Sequence, residues 1–134
     1  MLPLVYSRSW QIAGVLILML VLVLALAPAV WPWGGRYGSL WAIPDKWLHG
    51  LTFAGLALWY TGQYARHSYL WLALGLFSFG SLIELGQLMV AYRTAELGDV
   101  VADTLGIAAG MMIALVATGG WSLRVEQWLR RRIG

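Results

Sequence analysis

The run Trp10-Gln11-Ile12-Ala13-Gly14-Val15-Leu16-Ile17-Leu18-Met19-Leu20-Val21-Leu22-Val23-Leu24-Ala25-Leu26-Ala27-Pro28-Ala29-Val30 carries no charged side chain. Its length matches the roughly 20 apolar residues that a helix needs to cross a bilayer. Pro28 and the turn-rich stretch Trp31-Pro32-Trp33-Gly34-Gly35 close it. A cleaved signal is the competing reading, because Ala25-Leu26-Ala27 resembles a small-residue cleavage site, but Pro28 directly after it disfavours cutting. The run therefore reads as a first membrane helix.

Working outward, three more apolar runs follow: about Asp45 to Tyr64 with Pro44 just before its first turn, Tyr69 to Val90, and about Asp99 to Thr118 ending at Gly119-Gly120. Lipid satisfies no backbone groups, so such runs are helices, and their short connections make sequential neighbours antiparallel. The expected fold is all-α, a four-helix integral membrane bundle forming a single domain over 1–134. A C-terminal amphipathic surface helix over about 121–132 completes it, with Trp121, Val125 and Trp128 on one face and arginines elsewhere. Composition agrees: the 134 residues are 60% hydrophobic and 11% charged, against about 25% charged in ordinary domains.

The formal charge of +3 reads as topology and headgroup contact, since no basic groove for nucleic acid is visible. The absence of cysteine excludes disulfides, thiolate catalysis and Cys-type zinc sites. Arg8, Arg66, Arg124, Arg130, Arg131 and Arg132 fall on one side of the expected membrane and Arg36, Lys46 and Arg93 on the other. The first group is expected in the cytoplasm together with both termini. Trp and Tyr cluster at both expected boundaries, as interfacial belts do.

Six ionisable residues lie inside or at the edge of the expected hydrocarbon: Asp45, Lys46, His49, Glu84, Asp99 and Asp103. A charge at mid-bilayer costs roughly 2.5–3.5 kcal/mol on insertion scales, so each needs a reason. Helical spacing puts Asp45, His49 and Thr52 on one face, and Gly80, Glu84 and Gln87 on another. Asp99, Asp103, Gly106 and Gly110 lie within about 60° of one another at 100° per residue. Gly106-x-x-x-Gly110 is a small-residue packing motif, which turns this acidic stripe toward neighbouring helices. His49, Glu84 and Asp103 fall about 6–9 Å inside the non-cytoplasmic boundary at 1.5 Å per residue. Arg93, in the loop between the third and fourth runs, is within reach of Glu84, Asp99 or Asp103.

Structural explanations compete at each position. Asp45 with Lys46 fits a helix cap followed by a snorkelling lysine. Arg93 with Asp99 fits a loop tie, and His49 fits a hydrogen-bonded packing residue. Asp103 lies one turn into its helix, where the dipole still favours an anion. Glu84 sits more than a turn inside an apolar helix, where capping does not require it. Three chemistries remain open for the cluster: a divalent cation on His49, Glu84, Asp45 and Asp103; acid/base work by Glu84 and His49; or an ion-pair network holding three helices together.

The ordered set Asp45-Lys46-x-x-His49, Glu84-x-x-Gln87, Arg93-x-x-Glu96-x-x-Asp99 and Gly106-x-x-x-Gly110 resembles the VanZ-like family of small bacterial membrane proteins. The resemblance covers Asp45 to about Ala117; the first helix fits in kind. Where the family pattern is expected to carry Asn, this chain has Asp103, which adds a carboxylate. The resemblance implies a bacterial inner-membrane protein, and a named member of the family is associated with low-level tolerance of the glycopeptide teicoplanin. No established reaction comes with it. Its motif residues are Asp45, Lys46, His49, Glu84, Gln87, Arg93 and Asp99.

Together these readings predict an outward-facing site that binds, and in one version modifies, the headgroup of a membrane lipid or lipid-linked cell-wall precursor. In that version Glu84, His49 and Asp99 are catalytic, and Asp45, Lys46, Gln87, Arg93 and Asp103 bind substrate. The alternative is a non-enzymatic structural or binding module of the cell envelope. No metal, cofactor or oligomeric state is assigned, and no nucleic-acid partner is expected.

Overall fold

A computed structural model describes residues 1–26, 45–90 and 96–133. The described residues form five α-helices and no strand: α1 (Ser7–Leu26), α2 (Asp45–Gln63), α3 (Tyr69–Leu88), α4 (Leu97–Ile113) and α5 (Trp121–Ile133). A single 3₁₀ turn, Arg66–Ser68, leads into α3, and a π-helical turn, Ala114–Thr118, continues α4. α1 starts a turn before Trp10, while the expected stretch from Ala27 to Val30 and the turn after it lie outside the described residues. α4 starts at Leu97 because Glu96 before it is extended (φ −126°, ψ 136°). Asp99 thereby falls in the first helical turn, at the positive end of the helix dipole.

By length and composition, three segments are apolar enough to cross a membrane: Ser7–Leu26, Arg66–Leu88 and Leu97–Thr118. α2 was expected as a fourth span but falls outside that set. At 19 residues it has a comparable length, about 28 Å at 1.5 Å per residue. What separates it is its polar content, including Lys46, His49, Thr52, Thr61 and Gln63. Thr61 and Gln63 are buried among its neighbours, as are its apolar residues Phe53, Leu56 and Ala57.

The most extensive helix pair is α2 with α4, and glycine explains why. A Cβ on Gly106 would overlap the Gly50 carbonyl oxygen, and one on Gly110 would stand 2.6 Å from the Ala54 oxygen and 2.7 Å from the Ala57 Cβ. The two backbones meet where side chains are missing. Phe53, Leu56, Ala57, Leu76, Ile83, Ile107 and Met111 fill the core between α2, α3 and α4. α1 buries only Gly14 and leaves Ile12, Leu16, Leu20 and Val23 outside. An apolar helix exposed in this way suits lipid as its surroundings.

The ends of α2 and α4 nearest the chain termini carry a second arrangement. Gly119 donates to Ala114 O at 2.8 Å, and Gly120 takes φ +71°, which a glycine adopts without a Cβ clash. The chain then turns into α5. Trp121 packs between Trp10 and Trp59, with ring centroids 5.4 and 5.7 Å away, and donates from Nε1 to Leu58 O at 2.9 Å. The face expected to lie on the membrane is therefore divided. Trp121 is docked on the bundle, whereas Trp128 is 51% exposed with the Arg132 guanidinium 4.5 Å over its ring. A tryptophan stripe looks alike on a sequence whether lipid or a neighbouring helix receives it.

Glu126, on α5, is buried. Its Oε2 accepts from the Val5 amide at 2.8 Å, and its Oε1 accepts from the Tyr6 amide at 3.0 Å and from Trp10 Nε1 at 2.9 Å. These amides immediately precede α1, so one carboxylate serves donors at the helix start that have no intrahelical partner. Burial by itself pushes the pKa of this carboxyl up, but hydrogen bonds from Tyr6, Val5 and Trp10, with the Arg130 charge, outweigh it and hold the pKa below the usual glutamate value.

Candidate functional site

At the opposite end, α2 and α4 begin and α3 finishes. The face of α3 bearing Gly80, Ile83, Glu84 and Gln87 is buried, and so is the face of α4 bearing Asp99, Asp103, Gly106 and Gly110. Gly80 opens the space: a Cβ there would stand 2.7 Å from Asp103 Oδ2 and 3.1 Å from the Phe53 ring. Asp103 thus reaches across to α3 through the gap that glycine leaves.

His49 Nδ1 lies 3.0 Å from Asp103 Oδ1, and the two side chains are 12% and 2% exposed. An ionised carboxylate can only accept, so a hydrogen bond here places a proton on Nδ1 and the lone pair of a neutral ring on Nε2. His49, Glu84 and Asp99 come together from α2, α3 and α4, each offering a donor atom within 4.8 Å of the others. Glu84 is 6% exposed and Asp99 3%. The Glu96 amide hydrogen-bonds the Glu84 carboxyl, but Glu84 Oε1 and Asp103 Oδ2 are buried with no hydrogen-bond partner among the described residues. Leaving a buried acceptor unsatisfied costs about 1–3 kcal/mol, more when it is charged.

The remaining predicted residues occupy different positions. Gln87 is buried, and its Nε2 donates to Ala25 O at 3.0 Å. It ties α3 to α1 rather than pointing its amide at the carboxylates. Lys46 lies at the rim: its Nζ is 3.2 Å from Glu96 Oε2, with both side chains more than half exposed, and its chain runs across Gly98. Asp45 opens α2, but its side chain lies outside the described residues, as does Arg93 entirely.

Two participants escaped the sequence reading. Glu96 stands in the quoted motif, but its pairing with Lys46 depends on how α2 and α4 are juxtaposed. Glu126 is the one acid beyond Asp103 and sits four residues before Arg130, so it reads locally as an ordinary i,i+4 surface pair.

The grouping can do two kinds of chemistry. One imidazole and two carboxylates suit a divalent cation, and a buried carboxylate beside a histidine suits proton transfer. A small all-α protein with three span-length apolar helices and a buried group of His49, Glu84, Asp99 and Asp103 at one end belongs among membrane proteins. More specifically, the chain belongs to the VanZ/LLP1 family, whose model matches residues 12–118. The family is linked in general to glycopeptide tolerance in bacteria. The match runs from α1 through the π-helical turn, so it takes in the first helix and stops short of α5 and Glu126. No curated protein and no solved structure matches the chain.

Proposed function

We propose that this single-domain protein binds the headgroup of a membrane lipid or lipid-linked envelope precursor at the end of the bundle where His49, Glu84, Asp99 and Asp103 meet. The observation that carries the reading is Glu84: a nine-tenths-buried carboxylate, on an apolar helix, with an oxygen that has no hydrogen-bond partner among the described residues. Native interiors rarely leave such an atom without a use. α2 serves as the fourth span, its polar face covered by α3 and α4. Lys46 at the rim meets phosphate, and Glu84 with His49 supplies base and acid in the version that includes chemistry. The arginine bias supports an orientation with this end on the envelope side of the bacterial inner membrane.

The test is lipid profiling of membranes from cells expressing Glu84→Gln or His49→Ala at levels matched to wild type, with lipids retained on the purified protein measured alongside. Loss of a retained species supports binding, and accumulation of a precursor supports modification. Unchanged profiles in both measurements would overturn the reading. Sidedness has its own test, because the chain has no cysteine. A single cysteine at exposed Glu96 should react with an impermeant maleimide from outside the cytoplasmic membrane, and one at exposed Ser9 should not.

A second reading has its own support. The His49–Asp103 and Lys46–Glu96 pairs both join α2 to α4, as an interhelical network would. In that case Glu84→Gln lowers the melting temperature and leaves the phenotype intact wherever protein persists.

A further inference from the structure

We infer that His49, Glu84 and Asp99 form a binding site for a divalent first-row transition ion, Zn²⁺ or Mn²⁺, with Asp103 positioning the histidine. The inference deepens the headgroup reading by naming the cation that lets an anionic group approach this end, and it rests on the same cluster being the working end. Three independent helices deliver the donors, so the grouping does not follow from local sequence. Their donor atoms lie within 4.8 Å of one another. An ion about 2.1 Å from each requires separations of roughly 3–4 Å, which small rotations of the side chains supply.

The unsatisfied Glu84 Oε1 is the second observation. An acceptor that is buried, has no donor among the described residues and belongs to a group with an imidazole and another carboxylate matches the surroundings of a metal ligand. Charge points the same way. Glu84, Asp99 and Asp103 are all buried, whereas the Lys46 ammonium sits at the exposed rim against Glu96. A divalent ion would add positive charge beside these buried carboxyl groups.

The His49–Asp103 contact supplies orientation. A ligating histidine commonly gives its other ring N–H to a carboxylate, which fixes the tautomer and strengthens the donor nitrogen. Asp103 at 3.0 Å from Nδ1 stands where that carboxylate belongs, and an asparagine there would offer a weaker acceptor. The mixed nitrogen and oxygen set favours Zn²⁺ or Mn²⁺ over Mg²⁺ or Ca²⁺, which prefer oxygen throughout. Three protein ligands leave a coordination position for water or for a phosphate oxygen.

The test uses tag-free, full-length protein in detergent, stripped with chelator and titrated with Zn²⁺, Mn²⁺ and Mg²⁺ separately. Bound metal is counted by mass spectrometry, and Co²⁺ replaces Zn²⁺ for absorption spectra. About one equivalent of Zn²⁺ or Mn²⁺ should bind, with Glu84→Gln and His49→Ala each weakening it at least about 100-fold. Asp103→Asn should weaken it about 10- to 100-fold. His67→Ala, at an exposed histidine of the opposite end, should leave it unchanged. No binding by wild type at about 10 μM metal, or equal binding by Glu84→Gln and His49→Ala, overturns the site. The wild-type titration and Co²⁺ spectrum decide the matter where a variant does not fold. Metal binding without headgroup binding to vesicles of anionic phospholipid would sustain this site and remove the headgroup reading. Headgroup binding by stripped protein, undiminished on removing the metal, would sustain the headgroup reading and overturn the claim that the cation recruits the headgroup.

Discussion

Glu84 and Glu126 are both buried glutamates, at opposite ends of the same bundle, and their surroundings differ in one respect. Glu126 accepts three hydrogen bonds, two from backbone amides and one from an indole. Glu84 takes an amide bond from Glu96 but keeps Oε1 without a partner among the described residues, beside other acids. The first arrangement uses its charge to hold α5 and the N-terminal arm together. The second, in the function proposed above, meets a ligand. On that proposal, satisfaction of the acceptor atoms rather than depth of burial separates the two glutamates.

The contrast is open to direct attack. Glu126→Ala should have the largest effect on stability, roughly 2–4 kcal/mol, because it removes a buried carboxylate and strands three part-buried donors at once. Thermal melting in detergent should fall, and limited proteolysis should release α5. Gly106→Ala comes next, at about 1–3 kcal/mol, since its methyl group would overlap the Gly50 carbonyl; the melting curve again reports it. Glu84→Gln should change stability by less than about 1 kcal/mol, or raise it, while abolishing ligand binding, as happens when a strained functional group is removed. If Glu84→Gln destabilised as much as Glu126→Ala, the contrast would fail.

Acid supplies a finer probe. Because the folded-state pKa of Glu126 is depressed, its contribution is present above the unfolded value near 4.5 and is lost as pH falls through the folded value. Wild type should lose stability below about pH 4.5, and Glu126→Gln should show a smaller loss over that window in melts at stepped pH. Lys46→Ala should matter least, under about 1 kcal/mol, because its ion pair with Glu96 is exposed to solvent.

How much of this was legible beforehand depends on the range of each interaction. Asp99, Asp103, Gly106 and Gly110 could be placed on one inward stripe because the helix repeat is a local property, and the structure buries all four. His49 and Glu84 could be put at a common depth by counting residues from the helix ends. Partner choice was not readable. Gln87 shares the buried face of Glu84 yet bonds to α1, a difference set by side-chain direction and helix crossing. Trp10 and Trp59 read as an interfacial belt and Trp121 as the face of a surface helix, because each residue separately sits where those would, and their mutual packing is not local. α2 read as an ordinary span although its polar content sets it apart from the other three.

The tie between Glu126 and the residues before α1 also bears on how the molecule is made. Val5 and Glu126 are 121 positions apart, so the beginning of α1 acquires its carboxylate only after α2, α3 and α4 have been made. Until then, the first helix is held by its apolar length and by its ties to α2 and α3, such as Gln87 on Ala25 O. Closing that contact therefore follows synthesis of the helices between. A nascent chain stalled before Glu126 would present those helices with the N-terminal arm still accessible to proteases.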